Sequence, residues 1–159
     1  MTPDAAARFR AIAPSDVPAL FVVRTAAREN PFSLEALRAI GITEASVREK
    51  LASIHRGWLA EVGGRIVGFA MGDSATGELL VVAVLPAHEG RGIGRTLLTL
   101  VQDWLWSNGW SELWLTTGPE KTTRAFHLYC RLGWRDCGLS NGQRRLKLSR
   151  PPAAPPPRP

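Results

Sequence analysis

Hydrophobic positions along the chain switch between the spacing typical of strands and the spacing typical of helices. A short apolar stretch over 9–13 predicts a first strand. The segment 15–54 then carries apolar residues at helical spacing, with side chains that can accept a hydrogen bond from a first helical turn. It predicts three helices, which begin at Ser15 or Asp16, at Ser33 and at Thr43.

The remainder predicts strands separated by two helices. Gly63 and Gly64 divide two strand-like runs and indicate a hairpin, and a continuous apolar run follows at 77–86. A helix that ends at Gly109, a strand at 112–117, a helix that begins at Thr122 or Thr123 and ends at Gly133, and two strands around a turn at 140–142 complete the order. This order predicts a mixed sheet with helices on both faces, an α/β (α+β) fold.

Composition indicates one globular domain. The 159 residues are 45% hydrophobic and 21% charged, and they carry a net charge of +6. We expect the domain to span 1–150 and a proline-rich tail to span 151–159. The longest apolar run, 79–87, is too short to cross a membrane, and the first residues do not look like a secretory signal.

Charge and cysteine usage narrow the partners and the location. The basic residues are scattered, apart from a cluster over 144–150, and no nucleic-acid-binding motif accompanies them. We therefore expect neither nucleic acid nor membrane as a partner. Two cysteines without a C-x-x-C spacing, Cys130 and Cys137, favour reduced thiols and a cytoplasmic location.

The octet EGRGIGRT, residues 89–96, carries the clearest chemical signal. It lies between the apolar strand and an amphipathic helix, so its backbone N–H groups and the helix N-terminus can bind phosphate oxygens. The octet is not a Walker loop, because Glu89 replaces the first glycine and no lysine follows Gly94. It also does not fit G-x-G-x-x-G, whether the count starts at Gly90 or at Gly92.

Two stretches resemble the GNAT superfamily of N-acetyltransferases. VAVLPAHEGRGIGRTLL resembles the family's acetyl-CoA-binding motif, with Gly92 and Gly94 at its glycines and Glu89 where Gln or Arg is usual. TTRAFHLYCRLGWRDCG resembles the later motif, with Tyr129 in register and Thr122 in place of the usual Asn. The resemblance covers roughly residues 8–149, and the RENP and GIT stretches look like a bacterial subgroup.

The resemblance implies a fold and a cofactor site. The fold would be a mixed, mostly antiparallel sheet of six to seven strands, with helices on both faces and a splay between strands four and five. Acetyl-CoA would be the co-substrate, with its pantetheine in the splay. The residues implied to bind it are Val82, Ala83, Val84, Gly90, Arg91, Gly92, Ile93, Gly94, Arg95, Thr122 and Tyr129.

The resemblance also implies direct attack of an amine on the thioester, with Tyr129 as general acid. A phenol has a pKa of about 10 and a thiol about 8.5, so full proton transfer to the thiolate is uphill by about 2 kcal/mol. Tyr129 is therefore expected first to donate a hydrogen bond to the sulfur. Glu78 is the candidate base, with a solvated strand end as the alternative interpretation and His88 as a more distant rival. His55 is interpreted as a surface residue, and Cys130 faces away from Tyr129 on its helix.

The acceptor is an amine of unknown identity. Arg28, Glu29 and Asn30 are candidate acceptor-binding residues, although Asn30 equally fits a helix end before Pro31. A non-catalytic acyl-CoA sensor and a nucleotide or nucleic-acid binder are the alternative functions. The oligomeric state is open, and a homodimer is one alternative.

Overall fold

A computed structural model of the chain describes residues 6–27 and 33–152. In these residues seven strands and five helices follow one another, with short 3-10 turns at Pro14–Asp16 and Pro86–His88. In chain order the elements are β1 (Arg8–Ala11), α1 (Val17–Ala26), α2 (Leu34–Ala39), α3 (Glu44–Leu51), β2 (His55–Val62), β3 (Arg65–Asp73), β4 (Glu78–Val84), α4 (Ile93–Ser107), β5 (Glu112–Thr117), α5 (Arg124–Arg131), β6 (Arg135–Ser140) and β7 (Gln143–Ser149).

The strands form one seven-stranded sheet in the order β1-β2-β3-β4-β5-β7-β6. Neighbouring strands run antiparallel except β4 and β5, which are parallel because α4 connects them as a crossover. This confirms the mixed, mostly antiparallel sheet. The predicted order of strands and helices is confirmed as well.

Helices cover the two faces of the sheet at its centre. On one face α4 lies directly on β3, where a Cβ on Gly72 would stand 2.7 Å from Val101 and one on Gly68 would stand 3.3 Å from Leu97. Glycine at these positions lets α4 approach the strand closely. Phe69 and Met71 point to the other face, towards α1. Both layers therefore meet at β3, which places the core there.

Local signals set most element boundaries as expected. The Ser33 hydroxyl accepts the Ala36 N–H at 3.0 Å, and Thr43 accepts the Ser46 N–H at 3.1 Å, so both cap their helices. Gly63 and Gly64 both have positive φ in the β2–β3 hairpin. One expectation is wrong: α3 ends at Leu51, so Ile54 lies beyond the helix and is partly exposed.

The first helix starts differently from a simple capped helix. Asp16 precedes α1 but does not bond to its first turn. Its carboxylate accepts the Ala13 N–H at 2.7 Å and forms a salt bridge with Arg10 at 2.8 Å, and Arg10 also reaches Glu61. The carboxylate therefore fixes the link between β1 and α1 to the edge of the sheet.

None of the helices in residues 6–27 and 33–152 is long and apolar enough to cross a membrane. Pro151 and Pro152 are the last described residues, and the rest of the proline-rich tail lies outside the described residues.

Candidate active site

The two central parallel strands separate after a single pair. Glu78 is paired with Trp114, and the Trp114 N–H donates to the Gly77 carbonyl at 3.3 Å. No further residues of β4 and β5 pair, whereas the other edge of β4 remains bonded to β3 as far as Val84. The predicted splay between strands four and five is thus confirmed as an open gap beside β4.

Backbone donors of β4 face this gap. The Leu85 N–H donates to Val67 of the β3 side at 2.8 Å. Because N–H groups alternate between the two edges of an antiparallel strand, the N–H groups of Val84 and Val82 point to the gap, whereas that of Ala83 points to β3. An extended amide chain in the gap could pair with the two outward groups as an additional strand does.

A β-bulge changes the side-chain direction in β4. The register shifts between Met71 and Gly72, so Leu80 has no partner in β3. As a result, Leu80 and Val81 both line the same cavity although they are adjacent in sequence. The bulge therefore places two consecutive side chains of β4 on the cavity side of the sheet.

The glycine loop leads into α4 as predicted. Gly90 and Gly92 have φ of +77° and +79°, a conformation that glycine adopts without strain, and Gly92 is the N-cap of α4. A Cβ on Gly92 would meet nothing within 4 Å, so open space lies in front of the helix N-terminus. Arg91 and Arg95 are exposed beside it. Free N–H groups, the helix dipole and two cations suit a phosphate group.

Glu89 departs from the family pattern, and its surroundings show how the charge is accommodated. Its carboxylate lies 3.6 Å from the Arg124 guanidinium at the start of α5. A Cβ on Gly90 would also stand 3.7 Å from Arg124. This ion pair joins the loop to α5, and the positive charge of Arg124 offsets the negative charge of Glu89.

α5 places Tyr129 in the interior. Thr123, rather than Thr122, caps the helix by accepting the Phe126 N–H at 3.1 Å, and Thr122 stays exposed before it. Tyr129 is 6% exposed and packs edge-on against Trp134 with 6.0 Å between ring centroids. Burial raises the pKa of the Tyr129 phenol above its usual value, while the charge of Arg24 acts in the opposite direction. The phenol is therefore neutral and can donate a hydrogen bond.

A cavity of about 400 Å³ lies beside the gap, between the sheet and the first three helices. This volume is within the range of small-molecule sites. Its lining is mostly apolar, with a few titratable side chains. The lining residues are Leu20, Phe21, Arg24, Leu37, Ile40, Gly41, Ile42, Ser46, Val47, Lys50, His55, Phe69, Met71, Glu78, Leu80, Val81 and Thr116.

Glu78 is half-buried at the closed end of the gap, where β4 still pairs with β5, and it lines this cavity. Burial raises the pKa of its carboxyl group, the nearby Asp73 raises it further, and Arg145 lowers it. A carboxylate with a raised pKa is a stronger base than one in water. The position of Glu78 therefore suits the role proposed from the sequence.

His55 is not the surface residue that the sequence suggested. Its Nε2 lies 3.1 Å from the Asp73 carboxylate, both side chains are 11% exposed, and His55 lines the cavity. Burial lowers the pKa of His55, whereas the hydrogen bond and charge of Asp73 raise it and the charge of Lys50 lowers it. The sequence around His55 gives no sign of its burial, because the contact between His55 and Asp73 depends on the register of β2 against β3.

Other charged residues near the site were also missed. Arg24 on α1 lines the cavity, and its charge lowers the pKa of the buried Tyr129 phenol. The Arg145 guanidinium stacks on the Trp114 ring at 4.4 Å, and its charge lowers the pKa of Glu78. No sequence signal marks either arginine, because each reaches the site through tertiary packing.

The remaining candidate residues lie away from the cavity or outside the described residues. His88 lies in the turn before the glycine loop and does not line the cavity. Cys130 is exposed on α5 whereas Tyr129 is buried, as the helical spacing predicts. Arg28, Glu29 and Asn30 lie outside the described residues. The described residues contain no group of three or more ligands that could hold a metal ion.

The C-terminal basic cluster is engaged within the fold. Arg144 contacts Asp136 through two hydrogen bonds of 3.0 and 2.9 Å, and Lys147 lies 3.4 Å from Glu112. With Arg145 stacked on Trp114, three of its basic side chains have partners within the domain.

Comparison with known proteins agrees with this geometry. A streptothricin acetyltransferase from Streptomyces lavendulae is 34% identical in an alignment of 101 residues that covers 55% of this chain and 53% of that protein. The chain thus spans about half the length of that curated relative.

Solved structures share the fold. PaiA N-acetyltransferase from Thermoplasma acidophilum, solved with coenzyme A, has a TM-score of 0.78 at 16% identity over 91% of this chain and 99% of that one. YncA from Salmonella typhimurium, solved with acetyl-CoA, has a TM-score of 0.70 at 19% identity over 95% and 98%. A sequence model of the acetyltransferase (GNAT) family matches residues 21–134. The chain therefore belongs to the acetyltransferase (GNAT) family.

Proposed function

We propose that the protein is an N-acetyltransferase that transfers the acetyl group of acetyl-CoA directly to a primary amine. The observation that carries the proposal is the β4–β5 gap, which lies between a glycine loop at a helix N-terminus and a cavity lined by the Glu78 carboxylate. One side suits a long anionic acyl donor, and the other suits a small acceptor. Both substrates would be bound together, which aligns them for attack.

The donor side is formed by backbone. The outward N–H groups of Val82 and Val84, flanking Ala83, would pair with the pantetheine, and the Val84 N–H would stabilise the oxyanion that develops on the thioester. Gly90, Gly92 and Gly94 with Ile93 would hold the pyrophosphate at the start of α4. Arg91 and Arg95 are exposed beside the same loop and would add charge, and Thr122, exposed just before α5, would add a hydrogen bond.

Tyr129 would stabilise the departing thiolate. Its raised pKa makes the phenol a weaker acid than tyrosine in water, so complete proton transfer to sulfur is less favourable than the values of free groups suggest. The hydrogen bond from the neutral phenol would therefore come first, and the proton would follow as the C–S bond breaks.

Glu78 would bind the acceptor's ammonium group and take its first proton. An ammonium with a pKa near 10 cannot attack until it has lost that proton. A negative carboxylate in a mostly apolar cavity attracts the cation and accepts the proton more readily than solvent does.

The name of the streptothricin acetyltransferase points to an amine of an antibiotic as one acceptor class. The cavity itself favours an amine on a partly apolar body of small-molecule size, because most of its lining is apolar. Arg28, Glu29 and Asn30 would complete the acceptor side. The two free, exposed cysteines favour a reducing, cytoplasmic location.

The direct test is thiol release from acetyl-CoA with a panel of amines that includes streptothricin, hydrophobic monoamines, amino acids and peptides with free N-termini. We expect release to depend on one class of amine and the acetylated amine to appear by mass spectrometry. Coenzyme A binding without transfer to any amine would favour an acyl-CoA sensor instead. No binding of coenzyme A would contradict both functions.

A further inference from the structure

Three titratable side chains form a row on the cavity face of the sheet. His55 on β2 is paired with Asp73 on β3, and Asp73 is paired with Glu78 on β4. Directly paired residues project to the same face of a sheet, so the three side chains lie next to one another. His55 and Glu78 both line the cavity, and Asp73 lies between their strands. A molecule in the cavity can therefore contact both outer members of the row.

The hydrogen bond to Asp73 sets the state of the imidazole. An ionised carboxylate can only accept, so Nε2 of His55, which lies 3.1 Å from the Asp73 Oδ2 atom, carries the hydrogen. The other carboxylate oxygen accepts the Ala75 N–H at 2.8 Å, so Asp73 is held at both oxygens. Nδ1 of the neutral imidazole then carries a lone pair. This arrangement of carboxylate, imidazole and open nitrogen is that of a general base.

Acetylation of an amine removes two protons from one nitrogen. The ammonium loses the first before attack, and the positively charged nitrogen loses the second after the C–N bond has formed. Glu78, once protonated by the first, cannot accept the second until it has lost its own proton. A second acceptor beside the same nitrogen removes this delay, and the bonded nitrogen is more acidic than the original ammonium because it is attached to an electron-poor carbon. Its pKa is therefore better matched to an imidazole.

We propose that His55 accepts this second proton on Nδ1 and that Asp73 positions the imidazole and stabilises the imidazolium. The proposal rests on the acetyltransferase function proposed above. The N–H bond breaks, its electron pair stays on nitrogen, and the oxyanion pair re-forms the C=O bond. The C–S bond breaks as the C=O bond re-forms, and the sulfur keeps its electron pair and takes a proton from Tyr129. His55 and Glu78 give their protons to solvent and Tyr129 regains one, so one proton is released per turnover.

The charged groups around His55 predict its pH dependence. Burial and the charge of Lys50 on α3 lower the pKa of the imidazole, whereas the hydrogen bond and charge of Asp73 on β3 raise it. Glu78 on β4 is the other titratable group of the row, and its ionised carboxylate would act in the same direction as that of Asp73. The neutral form is the active one. The rate should therefore fall as pH drops through the lowered pKa of His55, below its usual value of about 6.5.

The decisive variant is His55→Gln, with the amine that gives the highest rate in the panel. Its amide can still donate to Asp73, but it is not a base. We expect kcat to fall by about 10²-fold, the acidic limb assigned to His55 to disappear, and the affinity for coenzyme A and the melting temperature to stay as in the wild type. Exposed His127 on α5 gives the matched control, and His127→Gln should keep the wild-type pH profile. An active wild type with an unaltered His55→Gln variant overturns the role of His55.

Asp73→Asn tests the positioning role. We expect kcat to fall by about tenfold and the acidic limb to move to lower pH, because loss of the carboxylate lowers the pKa of His55 further. An unmoved limb contradicts the proposed role of Asp73.

A measurement of the ring by ¹⁵N NMR is independent of activity. We expect hydrogen on Nε2 and a lone pair on Nδ1 at neutral pH, and the reverse tautomer overturns the proposal. Wild-type protein with the expected tautomer that acetylates no amine would contradict the proposed acetyltransferase function, and the catalytic role of His55 with it. Failure of the His55 role alone would leave an active wild type and an equally active His55→Gln variant. Failure of the proposed function would leave the wild type itself inactive.

Discussion

The two sides of the β4–β5 gap are built in different ways. The proposed donor side is formed mainly by backbone groups from one continuous segment, the end of β4, the glycine loop and the first turn of α4. The proposed acceptor side is a cavity lined by residues of seven elements, brought together by sheet register and by the packing of α1, α2 and α3. A backbone site leaves a local motif in the sequence, because glycine spacing and a helix start are local features. A side-chain site of this kind leaves no such motif.

The difference between the two sides should be visible in binding and rate measurements. Changes on the donor side should alter the affinity for coenzyme A, and changes on the acceptor side should alter turnover. Tyr129 stands apart from both, because it would act on the bond that breaks between the two substrates.

The largest effect is expected for Tyr129→Phe. The change removes only a hydroxyl, so packing against Trp134 is kept. Loss of the hydrogen bond to the leaving sulfur should lower kcat by about 10²-fold, while coenzyme A binding measured by calorimetry stays nearly unchanged. A variant that turns over at the wild-type rate would remove Tyr129 from the mechanism.

Glu78→Gln should lower kcat by a similar factor, about 10²-fold at neutral pH. The carboxylate must be ionised to accept a proton, and its pKa is raised by burial and by Asp73. The wild-type rate should therefore fall as pH drops through this raised pKa, and the glutamine variant should lack that part of the profile. A variant with the same acidic limb as the wild type would show that another group produces it.

Gly92→Ala should weaken coenzyme A binding by about tenfold. The residue has a φ of +79°, and an alanine in this conformation costs roughly 1–2 kcal/mol. Gly109→Ala is the matched control, since Gly109 also has a positive φ (+92°) and nothing within 4 Å of its Cβ, but it follows the opposite end of α4. Equal losses in both variants would show that general destabilisation, rather than the conformation of the loop, weakens binding.

The smallest effect is expected for Glu89→Gln. The change removes a negative charge beside the predicted phosphate site and releases Arg124 from its 3.6 Å ion pair. Coenzyme A should bind about two- to threefold more tightly at low salt, and the gain should shrink as salt screens the charges. Weaker binding would mean that the ion pair holds the loop in its binding shape.

The sequence predicted the strand order and the local conformation of the glycine loop well, whereas the binding roles of the loop residues remain a proposal. Capping residues, hairpin glycines and the glycine octet act over a few residues, and the structure has Thr43, Gly63 and Gly92 in the roles expected of them. On the proposed acceptor side, Glu78 is the one candidate from the sequence that lines the cavity among the described residues. His55 was taken for a surface residue because its burial depends on β2, β3 and α3 meeting around the cavity.

The most direct test of this division is the dissociation constant of coenzyme A for wild type, Glu78→Gln and Gly92→Ala, measured side by side by calorimetry. Binding to Glu78→Gln should equal that of the wild type, and binding to Gly92→Ala should be about tenfold weaker. A glutamine variant that loses affinity, or an alanine variant that keeps it, would contradict a donor site formed by the glycine loop and separate from the acceptor cavity.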